Sequence, residues 1–276
     1  MLPKKVLMCE PEYFDINYIG NEYMTNLNAD FDKALAIKQW NELKSSYENL
    51  GLEVNRIAPG EGLVDMVFTA NQSLPFLDKN GVKRVVLSKM RHDQRKGEVE
   101  HFENFYLANG YEVVKLPNEI NYFESMGDAI IDYDRKIIFG GYGYRTEEIV
   151  YDFLKNVTEY EIVKIRLVNK YFYHLDTCFS ILNSDTALLC RDAFSDEDYL
   201  TIKKYFNNII EIGVDENKKG FACNCHCPDG KNVIIDKRAD ETKTLLEQKG
   251  FNVITVDTSE FMKSGGSVFC MKMMYF

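Results

Sequence analysis

The chain has 276 residues, 45% of them hydrophobic and 28% charged, with a net charge of -10. That acidity argues against a nucleic-acid partner, because phosphate contacts need a basic surface. No apolar run approaches the roughly 20 residues of a membrane helix, and MLPKKVLMCEP lacks the apolar stretch of a secretory signal, so the expectation is a cytoplasmic protein with no membrane partner.

In chain order, KKVLMCEP reads as a strand stopped by Pro11. Residues 30–50 read as a helix, with Leu35, Ile37, Trp40, Leu43, Tyr47 and Leu50 at helical spacing, and LEVNRI follows as a strand. VKRVVLSKM, EVEHFENFYLANG and YEVVKLP repeat the order strand, helix with a glycine stop, strand. AIIDYDRKIIFGG reads as two strands about a DYD turn, RTEEIVYDFLKNV as a helix and EIVKIRL as a strand. FSILNSDTALLC is a hairpin about residues 183–185, followed by the helix DEDYLTIKKYF and the strand NIIEIG. GKNVIIDKR, ADETKTLLEQKG and FNVITVDT close the series. The unit recurs about five times, and a unit that cannot bury its own apolar face needs neighbours. Small mixed sheets set radially are the favoured reading, and a doubly wound open sheet is the alternative. No linker divides the units, so residues 1–276 read as one domain.

Seven cysteines, at 9, 178, 190, 223, 225, 227 and 270, are an odd number and read as reduced thiols. Cys270 follows Gly265 and Gly266 and is a candidate nucleophile, although a lone cysteine also serves as core filling. His174 and Asp176 in YFYHLDTC would share a face if that phrase were a strand; the pair suits proton transfer or a simple strand-end hydrogen bond. Glu124 in NYFESMGDAIID could orient His174 or meet a cation, and so could Asp128, or the phrase is a capped turn. VDMVFTAN places Asp65 and Asn71 where both could reach a ligand, or it is a strand entering a polar turn. Arg145 in GGYGYRTE could fork onto a carboxylate, or pair at the surface with Glu147 or Glu148. CNCHC, residues 223–227, lacks the two-to-four-residue spacing and second pair of a zinc site, and PDGKN after it reads as a hairpin tip. No metal or cofactor motif is present, and neither GxxxxGK[ST], GxGxxG nor GxSxG occurs.

The phrases MCEPEYF, DMVFTAN, RHDQRKGEVEHF, FESMGDA, FGGYGYRTE, YHLDTC, FACN and EFMKSGGSVFCM together resemble, in order and spacing, the guanidino-modifying superfamily, also called amidinotransferase or dimethylarginine dimethylaminohydrolase-like. The resemblance implies an α/β fold, a five-bladed pseudosymmetric β/α-propeller, spanning 1–276 as a single catalytic domain. It implies Cys270 as nucleophile, with His174 and Glu124 as catalytic partners. Asp176 then lies on the substrate side and Arg145 on the substrate carboxylate, with Asp65 and Arg91 also counted with the substrate site. FTAN, which ends on Asn71, and NEYM, which opens on Asn21, look like the arginine dihydrolase branch. The implied reaction is hydrolysis of arginine to ornithine, ammonia and carbon dioxide through a covalent Cys adduct, with no cofactor. A small guanidino compound is the expected partner, and a homo-oligomer is compatible with the reading. The alternatives are a methylarginine hydrolase or arginine deiminase releasing citrulline, amidino transfer to an amine, and a non-catalytic guanidino-binding or interaction protein.

Overall fold

The computed structural model describes residues 2–24 and 31–276; residue 30, where the first helix was expected to begin, lies outside them. The first unit is β1 (Lys5–Cys9), α1 (Lys33–Asn49) and β2 (Glu53–Ile57). The Asp32 side chain caps α1 by accepting from the Leu35 N–H at 3.0 Å. The buried stripe of α1 runs through Ala36, Gln39, Trp40, Leu43 and Tyr47, whereas Ile37, expected among the apolar contacts, is 42% exposed.

The second unit comprises β3 (Ser73–Leu77), β4 (Lys83–Leu87), α2 (Asp93–Lys96), α3 (Glu98–Ala108) and β5 (Glu112–Val114). The third has β6 (Ala129–Asp132), β7 (Ile137–Tyr142), α4 (Val150–Thr158) and β8 (Glu161–Arg166). The fourth has β9 (Phe179–Ile181), β10 (Thr186–Cys190), α5 (Asp196–Ile202) and β11 (Asn208–Ile212). After α6 (Val214–Gly220), the fifth is β12 (Asn232–Asp236), α7 (Asp240–Gln248) and β13 (Asn252–Val256). Then α8 (Ser259–Met262) leads to β14 (Met273–Tyr275).

Each unit is a parallel pair joined by helix, with one further antiparallel strand against its first member. In sheet order these are β14-β1-β2, β3-β4-β5, β6-β7-β8 and β9-β10-β11. In the fifth, β12 pairs β13 and His226 bridges Ile234 from the antiparallel side. The fold is therefore mixed α/β with five small sheets, none closed on itself. The first sheet takes its antiparallel strand, β14, from the other end of the described chain, with Val6 opposite Met274.

Two strands escaped the reading of the sequence. β3 contains Pro75, which argues against a strand; it is an edge strand, opposite Val85 only on one side, where a missing N–H is tolerated. β14 is three residues long in an apolar run with no turn signal beside it. The DYD turn formed as expected, with Asp132 Oδ1 accepting from the N–H groups of Asp134 and Arg135.

Aromatic rings join successive units: Phe139 of β7 lies with its centroid 5.4 Å from Phe179 of β9 and 5.2 Å from Phe206. Phe139→Ala is expected to cost about 3–5 kcal/mol, as for other buried Phe truncations, read as a lower urea midpoint at unchanged slope.

Candidate active site

The strands that run antiparallel to their partners are each preceded by a turn, and those turns carry the site. Asn71 precedes β3. Glu124 leads into the 3-10 turn Ser125–Gly127 before β6, and His174 into Leu175–Thr177 before β9. Asn224 ends the 3-10 turn Ala222–Asn224 before the His226 bridge, and Cys270 lies shortly before β14. A closed circuit of hydrogen bonds joins the five turns. Met126 N donates to Ala70 O at 2.9 Å and Ala70 N to Cys270 O at 3.0 Å. Leu175 N donates to Asp128 Oδ1 at 3.0 Å. Asn224 Nδ2 donates to Asp176 O at 3.0 Å, and Phe269 N to Asn224 O at 2.9 Å.

Cys270 is buried, and its thiol donates to Asp176 Oδ2 at 3.2 Å. Asn224 Oδ1 accepts from the N–H groups of Ser267 and Cys270. That fixes the amide so that Nδ2, a donor, faces Cys270 Sγ at 3.2 Å. Burial, then the Asp176 charge and hydrogen bond, push the Cys270 thiol well above its usual range. Asp176 is itself raised to about 7 by burial, partly offset by the Cys270 hydrogen bond and the Lys272 charge. Its second oxygen, Oδ1, is buried without a partner.

Burial alone would raise Glu124, but the Arg145 charge and the His174 hydrogen bond more than offset it and hold the carboxylate below its usual range. Glu124 Oε2 meets His174 Nε2 at 2.8 Å and Arg145 Nη1 at 3.0 Å. Because Glu124 is ionised, Nε2 carries the proton and Nδ1 the lone pair. Burial lowers His174 to about 4 against the pull of Glu124, so the resting ring is neutral. His174 and Asp176 thus both reach the site, though through an extended residue and a 3-10 turn rather than the alternation of a strand. Leu175 between them is buried in the packing, as expected.

The FTAN phrase is a run of turns, not a strand. Arg95 Nη1 donates to Asn71 Oδ1 at 2.9 Å; an arginine only donates, so the amide oxygen must face it. Asn71 Nδ2 is left buried with no acceptor. Arg95 is held in turn by Glu98, 3.0 Å away, with both side chains buried.

Arg145 does not pair with Glu147 or Glu148. Besides Glu124, its Nη2 donates to Gly20 O at 2.6 Å. Asn21 Nδ2 donates to Ser264 O at 3.0 Å, and Asp65 accepts from Tyr18 Oη and from Ser264 Oγ. These contacts lay residues 18–21 over the pocket, whose free space is about 20 Å³, room for about one water. Side chains at Gly265 and Gly266 would meet Asn21 at 2.6 Å and the Phe68 ring at 2.3 Å, which is what the double glycine before Cys270 provides. Arg91 is the exception among the expected site residues. Its backbone N–H donates to Glu124 Oε1 at 3.0 Å, but its side chain lies exposed, on Tyr144 O and over the Tyr122 ring. Apart from Met90 its near neighbours in sequence are polar, so no pattern marked it as exposed.

Reading of the sequence missed Arg95 and Asn224. Arg95 had one signal, its i,i+3 spacing to Glu98, which spans the break between α2 and α3. Asn224 sits between the cysteines weighed for a metal. Among the described residues no cluster could hold a metal ion, and CNCHC forms a turn and one side of a hairpin instead.

A side chain at Gly127 would lie 2.5 Å from Asn71 Nδ2 and 3.0 Å from His174 Nδ1. Gly127→Ala is therefore expected to lower kcat/KM about 100-fold by displacing these groups, with thermal unfolding little changed.

The chain resembles characterised proteins over nearly all its length. It is 33% identical to the bifunctional arginine dihydrolase/ornithine cyclodeaminase AgrE of Nostoc over 97% of this chain, but spans only 37% of that protein. It is 31% identical to the dimethylarginine dimethylaminohydrolase of Mycobacterium tuberculosis over 97% of this chain and 84% of that one. It superposes with a TM-score of 0.90 and 30% identity on the N-terminal domain of ArgZ, an arginine dihydrolase of Synechocystis, covalently bound to a reaction intermediate, covering 98% of this chain and 97% of that one. No helix among the described residues is long and apolar enough to cross a membrane. Matched over residues 10–276, the chain belongs to the family described as N,N dimethylarginine dimethylhydrolase, eukaryotic.

Proposed function

We propose that this chain is an arginine dihydrolase, converting arginine and two waters to ornithine, two ammonia and carbon dioxide through a covalent adduct on Cys270. One observation carries the reading. Among the described residues the site holds buried, unpartnered atoms of opposite character: beside the thiol the acceptor Asp176 Oδ1, with Asp128 Oδ2 a further acceptor 4.0 Å from His174, and the donor Asn71 Nδ2. A guanidinium satisfies the acceptor at Asp176 and a ureido oxygen the donor. A substrate that passes from one to the other uses both in turn.

In the proposed sequence the guanidinium binds against Asp176, and its charge lowers the cost of the Cys270 thiolate. The thiol proton passes to His174 Nδ1 as the thiolate attacks the guanidinium carbon, forming a C–S bond. His174 donates a proton to the departing nitrogen, and ammonia leaves. Water, giving its proton to His174, then attacks and the C–S bond breaks, leaving the ureido product. In the second round Asn71 Nδ2 donates to the ureido oxygen as negative charge develops there. Attack by Cys270 releases ornithine, and hydrolysis of the remaining carbamoyl thioester gives ammonia and carbon dioxide. Glu124 is engaged by His174 and Arg145, so it acts by orienting and charging His174 rather than by gripping substrate. Substrate entry displaces residues 18–21, which frees Arg145 Nη2, Asn21 and Asp65 for the amino-acid end. Arg91 contributes its backbone N–H to Glu124.

We also infer that the five sheets form a five-bladed pseudosymmetric β/α-propeller in a single domain over 1–276; the circuit of hydrogen bonds joining the five turns, and β14 returning to β1, support it. A small guanidino compound is the proposed partner, a homo-oligomer is compatible with the reading, and the cytoplasm is the proposed location. The family and the Mycobacterium relative favour a second reading, hydrolysis of dimethylarginine to citrulline and dimethylamine.

Incubation with L-arginine is expected to give ornithine with two ammonia per arginine and no accumulating citrulline. Citrulline with a single ammonia would refute the dihydrolase reading, and turnover of dimethylarginine alone would establish the second. Asn71→Asp is expected to halt the reaction at citrulline, because a carboxylate cannot donate to the ureido oxygen; unchanged ornithine production would remove Asn71 from that role. Cys270→Ser is expected to abolish turnover while arginine binding persists.

A further inference from the structure

The strands entered from the catalytic turns have a second end. There, the tips after β6 and β9 and the hairpin around Asp229 line a cavity of about 380 Å³, within the range of small-molecule sites. It shares no lining residue with the catalytic pocket. Its walls include Met126, Ile130, Phe269 and Met274.

One basic side chain lines this cavity, Lys272. It is fully buried, and its Nζ makes no hydrogen bond. The Phe269 ring lies against it, 3.1 Å from Nζ to centroid. A ring face compensates a desolvated ammonium only in part. The lining carboxylates do not serve it. Asp132 is spent on Arg135 and the turn N–H groups, and Asp229 on the N–H groups of Lys231 and Asn232 and the Asn232 amide. Asp134 is exposed at the rim. Asp176, on the catalytic side, acts on Lys272 through its field without forming an ion pair, and burial lowers Lys272 to about 7. His226, also lining the cavity, is kept neutral by burial and shares Nδ1 with Tyr47 Oη at 3.1 Å.

We propose that this cavity is a second binding site for a small monocarboxylate with an apolar tail, the carboxylate on Lys272 Nζ and the tail against Met126, Ile130, Phe269 and Met274. An anion there restores the ammonium and supplies the partner that the fold withholds. The apolar walls select against small inorganic anions, which would leave them empty. This site is separate from the pocket at Cys270, with which it shares no lining residue, although the Lys272 charge is felt at Asp176.

The test is calorimetric titration of the intact protein with hexanoate, and with hexanol as the uncharged control. Saturable hexanoate binding is expected, at least about tenfold tighter than hexanol, not displaced by saturating L-arginine and lost in Lys272→Met. Ser184→Trp, which places a bulky ring at the exposed rim of the cavity, is expected to abolish it as well, so the result does not hang on one variant's folding. Absence of saturable binding, displacement by L-arginine, equal binding of hexanol, or full binding by either variant would overturn the proposal.

Discussion

A buried carboxylate without a cation is expensive, and the site is organised around one. Asp176 is fully buried, receives the Cys270 thiol on one oxygen and leaves the other with nothing. The other central carboxylate, Glu124, already has its compensation in Arg145 and His174. Asp128 Oδ2 is also buried without a hydrogen bond, 4.0 Å from His174 Nε2, but Asp176 Oδ1 is the open acceptor beside the thiol, and the proposed cationic substrate binds there. The same constraint keeps the thiol quiet when the pocket is empty. A thiolate beside an ionised Asp176 would place two like charges in a dry cavity, so the proton stays until an opposite charge arrives.

Residues far apart in sequence meet here because five units each contribute the same local piece, the turn before an antiparallel strand. Hydrogen bonds pass from turn to turn, and the side chains of the site hold one another, His174 on Glu124 and Cys270 between Asp176 and Asn224. Two of the four non-glycine residues with positive φ among the described residues belong to these turns. Ser125, beside Glu124, and Phe221, before Ala222–Asn224, both have positive φ, 45° and 46°, a conformation costly for any residue but glycine. Its occurrence beside two site residues fits turns held by their surroundings rather than by their own preference.

Much of this was legible in the chain itself. Strand-helix-strand periodicity located all five units, since apolar patterning and glycine stops are local signals. Cys270, His174, Asp176 and Glu124 stood out because polar groups inside apolar phrases are costly and need a reason. Arg95 and Asn224 did not, because their importance lies in holding other side chains, a relation with no local signature. Lys272 is the instructive omission: a lone charge between Met271 and Met273 in an apolar closing run is as anomalous as His174. The closed pocket was also illegible, since the contacts of Arg145 with Gly20 and of Asn21 with Ser264 join segments more than a hundred residues apart.

The claim that a substrate cation is what activates the nucleophile can be measured directly. The ultraviolet absorbance of thiolate, taken as the difference between the protein and its Cys270→Ser variant, is titrated with pH in the free state and compared with the pH dependence of arginine turnover. The account predicts no Cys270 thiolate in the free protein below its ordinary range, about pH 9, while turnover is already established near neutrality. A Cys270 thiolate present at neutral pH in the empty pocket would contradict it.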